Sequence, residues 1–291
     1  MAPSLNSLRT LNVTAAVIHT GLLVGFAVLF KRKLTPAKET IDLYRLAIDT
    51  AGWTPPTATD EESEINVKQK AVKDGQLNIR YLVMAFFGVT ALAHTLYATD
   101  FFGAGWYSQA ITRGWNPFRW VEYGVSASIM AALIAPFSGL RSSTSVQLVV
   151  ASTAAMQGTG FLVERALIAA EPDYTAALAG TLVGWLLLAT AWRAILGSFF
   201  KQLKDFNDSG LTDSDGKPIT VPDFVRYIGP VQAVFFSSFG WVQLSEIMGM
   251  SKRGTNFNYA GTETAYLALS LAAKATLASV IAYGLVARNE A

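Results

Sequence analysis

The stretch Tyr266-Leu267-Ala268-Leu269-Ser270-Leu271-Ala272-Ala273-Lys274-Ala275 decides how the chain reads. It lies inside an apolar run from about Glu263 to Ala287. A bilayer crossing needs ~20 mostly apolar residues at about 1.5 Å of helical rise each, and this run is long enough. Lys274 lies 11 residues into it, about 16 Å from its start at helical rise. From that depth no snorkelling route to the headgroups is short. An ionisable group so placed is costly and is a functional-site candidate by default.

Working outward, six further apolar runs have spanning length: about 11–30, 79–98, 115–139, 146–170, 174–199 and 224–248, with the last span at 263–287. The fourth and fifth are separated only by Glu171-Pro172-Asp173, where proline cannot continue a helix and its predecessor avoids helical dihedrals. The expected fold is an all-α membrane protein, a bundle of seven transmembrane helices, read as one domain over residues 1–291. The composition agrees. Of the 291 residues 52% are hydrophobic and 15% charged, against about 25% charged in soluble domains, and the mean hydropathy is +0.33. The first apolar run is long and is followed by Lys31, Arg32 and Lys33, so it reads as a span with a basic stop rather than a cleaved signal.

The chain has no cysteine and only two histidines, which excludes disulfides, thiol catalysis and cysteine- or histidine-rich metal sites. No basic run long enough for nucleic acid occurs. The link over residues 31–78 is long and is expected to hold structure of its own. It contains Thr54-Pro55-Pro56-Thr57, the acidic Asp60-Glu61-Glu62 and an amphipathic stretch from Ile41 to Ile48. The link from Lys201 to Val221 reads as a solvated turn region, broken at Ser209-Gly210 and Asp215-Gly216-Lys217-Pro218. Basic residues near span ends are more numerous on the C-terminal side (Lys31, Arg32, Lys33, Arg80, Arg141, Lys201, Lys204, Arg288) than on the other (Arg9, Arg113, Arg119, Lys252, Arg253). Taken alone, that bias puts the N-terminus outside.

The third span carries Glu122, entering from the same side as the last span, so Glu122 and Lys274 can neutralise one another. A bare charge pair is one reading of them. The other is covalent chemistry: a desolvated lysine amine attacks carbonyls, and the protonated Schiff base so formed needs a carboxylate counterion. Ser270, one turn before Lys274 on the same face, either bonds that nitrogen or counterion, or bonds back to the Tyr266 carbonyl. His19 and His94 fall towards the side where Glu122 lies, either as lone polar contacts or as the lining of a hydrated cavity. Trp185, Phe235, Phe236, Phe239 and Trp241 could clamp a polyene or simply pack. Met156 and Gly160 share a face of the fourth span, the glycine leaving room for a ring. Glu164 and Glu246, late in their spans, are expected near the headgroups. Glu164 would pair with a cation or cap a neighbouring helix, and Glu246 is a proton-path candidate.

At this point the residues resemble heliorhodopsin, a family of retinal-binding seven-helix photoreceptors. Arg119-Trp120-Val121-Glu122-Tyr123 with Ser126-Ala127-Ser128-Ile129-Met130 resembles its third helix, and Tyr266 to Lys274 its retinal-attachment helix. His19 and His94, Met156 to Glu164, Phe235-Phe236 with Phe239, and the long first link match as well. The resemblance implies all-trans retinal on Lys274, Glu122 as counterion, and a hydrated cavity lined by His19 and His94. It further implies an inverted orientation with the N-terminus cytoplasmic, and a homodimer reached through a small β-hairpin in the first link. Tyr123, Ser126, Met156, Gly160, Trp185, Phe236, Phe239 and Trp241 are expected to line the chromophore site, and membrane lipid surrounds the bundle. The chain departs from the family at Glu246, where an amide is usual, and at Trp241. The expected function is light sensing without enzymatic activity, through a partner the sequence does not name. A light-gated proton channel or transporter using Glu122, Glu246 and Glu164 is the rival.

Overall fold

The computed structural model describes residues 4–34, 39–49, 69–212, 225–253 and 257–287. Ten elements follow in order: α1 (Leu5–Lys33), β1 (Thr40–Ile48), β2 (Gln69–Asn78), α2 (Ile79–Thr99), α3 (Trp106–Thr112), α4 (Pro117–Phe137), α5 (Ser143–Leu167), α6 (Tyr174–Asp208), α7 (Val225–Arg253) and α8 (Tyr259–Ala287). The seven long helices fall where the apolar runs are. Each packs on the next, α4 following α2, and α8 returns to α1 and closes the ring.

Helix starts are set by short polar caps. The side chains of Ser4, Asn78, Asn116, Ser142 and Asp173 accept from the backbone N–H three residues on, each such cap worth ~1 kcal/mol. At α4, Pro117 follows its cap at the first helical position, where the missing N–H costs nothing. Six helices are long and apolar enough to cross a membrane among the described residues. The seventh, α7, has 29 residues and packs between α6 and α8. It falls short in hydropathy because it carries Gln232, Gln243 and Glu246, all buried.

The outer surface is apolar: Val17, Leu92, Val121, Leu148, Leu182, Leu186 and Val234 are all exposed. The interior holds Arg119, Glu122, Glu164, Glu246, Glu263 and Lys274. This reversal suits a bundle solvated by hydrocarbon, in which helices associate through close packing of small residues rather than by escaping water. Gly180 and Gly184, one turn apart on α6, show it. A Cβ on Gly180 would sit 2.9 Å from Val163, and one on Gly184 2.8 Å from Thr159, so the two helices approach closely only because both positions are glycine.

Several boundaries differ from the expectation. The stretch after Phe199, read as solvated turn, continues α6 to Asp208, since Lys201, Gln202, Leu203 and Lys204 all favour helix. The break comes at Ser209-Gly210, Gly210 standing at φ +61°. The short α3 before α4 was not foreseen. Thr54 to Thr57, Asp60 to Glu62 and Asp215 to Pro218 lie outside the described residues.

The first link contains the expected strand structure. β1 and β2 pair antiparallel from Thr40↔Asn78 to Ile48↔Gln69, with a bulge opposite Leu43/Tyr44 where Gly75 has φ +150°. The pair is fastened to the α4–α5 turn. Tyr44 donates its N–H to the Arg141 carbonyl at 2.9 Å, and Ser143 Oγ donates to Asp74 at 2.5 Å.

On the solvent side of this pair, Asp42 accepts from Lys73 Nζ at 2.9 Å and from Gln76 Nε2 at 2.6 Å. These two bonds hold its carboxyl below the ordinary value of 3.8. The sign follows: the contribution is present above the unfolded-state value and is lost as pH falls through the lower folded one. A carbon-detected titration of Asp42 should therefore show a midpoint below that of a free aspartate. Lys73→Ala should move it upward, and identical midpoints in both proteins would remove this contact from the account.

Candidate functional site

Lys274 is the centre of the first cluster. Long side chains on a helix point back towards its N-terminus, so the amine of Lys274 reaches the preceding turn. There Nζ donates to Ser270 Oγ at 2.6 Å and lies 3.3 Å from Glu122 Oε1. The same carboxylate oxygen accepts from Thr90 Oγ1 on α2. Lys274 is 3% exposed and Glu122 7%. The amine also sits 5.3 Å from the centre of the Tyr123 ring, whose hydroxyl donates to the Tyr266 carbonyl at 3.0 Å. Of the two readings of Ser270, the structure thus has it accepting from the lysine.

His94 begins a polar chain leading away from this pair. Its Nδ1 lies 2.7 Å from Asn12 Oδ1, and Asn12 Nδ2 donates to the Tyr107 hydroxyl at 3.0 Å. Tyr107 reaches Glu263 at 3.5 Å. The His19 ring stacks on His94 with centroids 5.7 Å apart, and both its nitrogens lack a partner among the described residues. The two histidines are therefore neighbours, one bonded and one not.

The second cluster surrounds Arg119. Its guanidinium donates to Glu164, to Glu263 and to the Tyr259 hydroxyl, while lying 3.9 Å over the Tyr266 ring. A cation in the first turn of a helix opposes the macrodipole. Here two carboxylates from α5 and α8 offset that cost. Glu164 also accepts the Asn116 backbone N–H at 3.0 Å, and Asn116 Nδ2 donates to Glu263 at 2.7 Å. Glu164 pairs with a cation and caps a neighbouring helix, as expected, but at 0% exposure rather than among headgroups. Glu246 is likewise 0% exposed. Arg119, counted above as a flanking charge, is buried at 2%.

Beside the amine lies an apolar slot. One narrow cavity is bounded by Lys274, Ser270, Tyr123, Ser126, Met130, Met156, Phe236 and Phe239. A second continues from Met156, Gln157, Phe236 and Phe239 to Trp185 and Gly240. Together they run from α8 to α6. Gly240 is needed there, since a Cβ would meet the Trp185 ring at 2.9 Å. Ser126 Oγ, buried and without a partner among the described residues, faces the slot beside the amine. The slot is mainly apolar and ends at the Lys274 amine, with the Ser126 and Ser270 hydroxyls beside it.

Two expected lining residues stand elsewhere. Trp241 points outward at 60% exposure, its ring 5.1 Å from Trp185, because it is one residue round the helix from Gly240. Beside Gly160 the space is filled by the Trp120 ring, which a Cβ would meet at 2.2 Å, so this glycine admits a tryptophan and not a ligand ring. Phe235 packs against the core instead of lining the slot. Asn12, Thr90, Tyr107, Asn116, Gln157, Tyr259 and Glu263 escaped the sequence reading. Glu263 alone left a signal, as a carboxylate at the mouth of the last span.

Comparison with known proteins bears on what this arrangement serves. The family model described as Heliorhodopsin matches residues 8–286, nearly the whole chain. No curated protein matches.

The Arg119 cluster carries a stability prediction. Removing one partner of a buried ionic network leaves uncompensated charge and costs ~3–5 kcal/mol. Arg119→Met should lower unfolding stability in detergent by about that amount, whereas Lys73→Ala in the exposed strand pair should cost far less, since solvent screens that contact. Equal stability of Arg119→Met and the parent would show that the cluster is not a paired network.

Proposed function

The chain belongs to the heliorhodopsin family, and from that premise we propose that Lys274 carries its retinal, with Glu122 as the balancing charge. Family membership makes the protein a retinal-binding, light-sensing membrane rhodopsin. The residues assigned, the all-trans isomer, the signalling role, the homodimer, the cytoplasmic N-terminus and the reading of residues 1–291 as one domain belong to the proposal.

One observation carries the reading: the Lys274 amine stands between Ser270 Oγ and Glu122 at the head of an apolar slot. Retinal, when bound, supplies absorption of visible light and a light-driven rotation about one of its double bonds. The rest is done by this chain. Lys274 holds the group through its side-chain nitrogen. Glu122 balances the positive charge on that nitrogen, and Thr90 keeps the carboxylate turned towards it. Met156, Phe236 and Phe239 exclude water and orient the chain of the polyene. A nitrogen carried away from Glu122 loses its stabilisation and gives up its proton towards Glu122 and the histidines. His94, Asn12 and Tyr107 offer that proton a hydrogen-bonded course.

Signalling is favoured over transport by what lies beyond Lys274. On α8 the following buried residues are Leu277, Ala278, Ile281 and Ala282, which pack with Phe30, Val83, Phe86 and Leu133. The buried ionisable groups among the described residues gather on the opposite half of the bundle, so a proton has a polar course to one face and a mainly apolar barrier to the other. A stationary photocurrent in voltage-clamped cells would displace this reading in favour of a light-gated proton channel.

Two variants test the assignments. Lys274→Ala, purified with retinal supplied, should lack visible absorbance; a coloured product would move the attachment elsewhere. Glu122→Gln should absorb well to the red of the parent, because removing the anion narrows the gap between ground and excited states. An unchanged spectrum would assign the counter-charge to another group.

A further inference from the structure

Glu246 has a surrounding unlike that of any other carboxylate in the bundle. It lies on α7 at 0% exposure, and neither Oε1 nor Oε2 has a hydrogen-bond partner among the described residues. The charged groups within electrostatic range belong to three other helices: Arg119 on α4, Glu164 on α5 and Glu263 on α8. Tyr259 and Tyr266 on α8 are in range as well.

Donors are shared unequally among the three carboxyl groups. Glu164 takes Arg119, Tyr259 and the Asn116 backbone N–H. Glu263 takes Arg119, the Asn116 amide and the Tyr107 hydroxyl. Glu246 takes none among the described residues, while one guanidinium is bonded to both of the others. An ionised carboxylate buried without a donor is far costlier than a neutral acid in the same place. Where carboxyls share one low-dielectric region, a proton settles on the least supported of them.

We propose that Glu246 is a proton store: a buried carboxylic acid in the resting protein, which passes its proton to Glu164 or Glu263 when Arg119 shifts away from either. The step is a plain transfer. The O–H bond of Glu246 breaks, a new O–H bond forms on the carboxylate that Arg119 has released, and the charge of the cluster is unchanged. No ion need enter or leave the low-dielectric interior for the proton to move between α7 and α5 or α8. The dark half of the proposal stands without retinal. The light-driven half rests on the function proposed above.

Infrared spectroscopy of the full chain separates the two. Without retinal, at about pH 8, where exposed acids are ionised, the protein should show a protonated-carboxyl C=O band that moves down in D2O. Glu246→Gln should remove it and Glu246→Asp should keep it at a shifted position. Absence of any such band from the parent protein, or a band untouched by Glu246→Gln, overturns the proposal; the first outcome needs no variant to fold. In protein loaded with retinal the same band should change on illumination, and a band that stays silent while the pigment responds overturns the transfer step. A loaded protein without colour would fault the proposed function, and the dark band would still decide Glu246.

Discussion

A charged nitrogen at 3% exposure cannot stand alone in a medium of low dielectric. Much of the arrangement around α8 follows from that constraint. Glu122 has to come from a neighbouring helix, because the helix bearing Lys274 is apolar on either side of it. Thr90 and Ser270 then occupy positions that fix where the two charges meet. The same constraint governs Arg119 on α4, where Glu164 comes from α5 and Glu263 from α8. Between them the two clusters engage α2, α4, α5 and α8, so charge compensation sets the rotation of these helices about their axes while apolar packing only limits their separation.

How much of this the sequence discloses depends on how each residue signals itself. Lys274 and Glu122 are legible because a charge inside an apolar run has few innocent explanations. Thr90 and Asn12 are not, since a lone threonine or asparagine in a span bonds its own backbone as readily as a partner. Arg119 misleads in another way. It lies only two residues beyond the start of α4, where a basic residue ordinarily faces headgroups, and only the folded ring reveals two carboxylates around it. Trp241 and Gly160 stand away from the slot for one reason: helical spacing gives a face, but which face meets the slot depends on rotations that no local pattern fixes. The extension of α6 to Asp208 is different again, because helix propensity continued past the apolar run that had been used to place its end.

Polarity within the bundle is distributed lengthwise. Towards the N-terminal end of α8 lie Glu263, Arg119, Glu164, Tyr107 and the histidines; towards its C-terminal end the packed residues are mostly aliphatic and aromatic, with Gln232 a buried amide among them. Such an axis has one wettable and one dry half, and Lys274 sits at the border. Chemistry at the amine is thereby given a direction. Rearranging a proton on the wettable side exchanges one hydrogen bond for another, whereas on the dry side it would strand a charge.

The bonds that join the strand pair to the α4–α5 turn have a mechanical consequence. Tyr44 and Asp74 grip the chain at Arg141 and Ser143, a few residues beyond the end of the helix that carries Glu122. A rigid helix transmits tilt along its length, so a small pivot near that carboxylate becomes a larger sideways excursion at the turn. The two strands would ride on it like a pointer on a dial, carrying a disturbance from the dry interior to whatever touches the outer face.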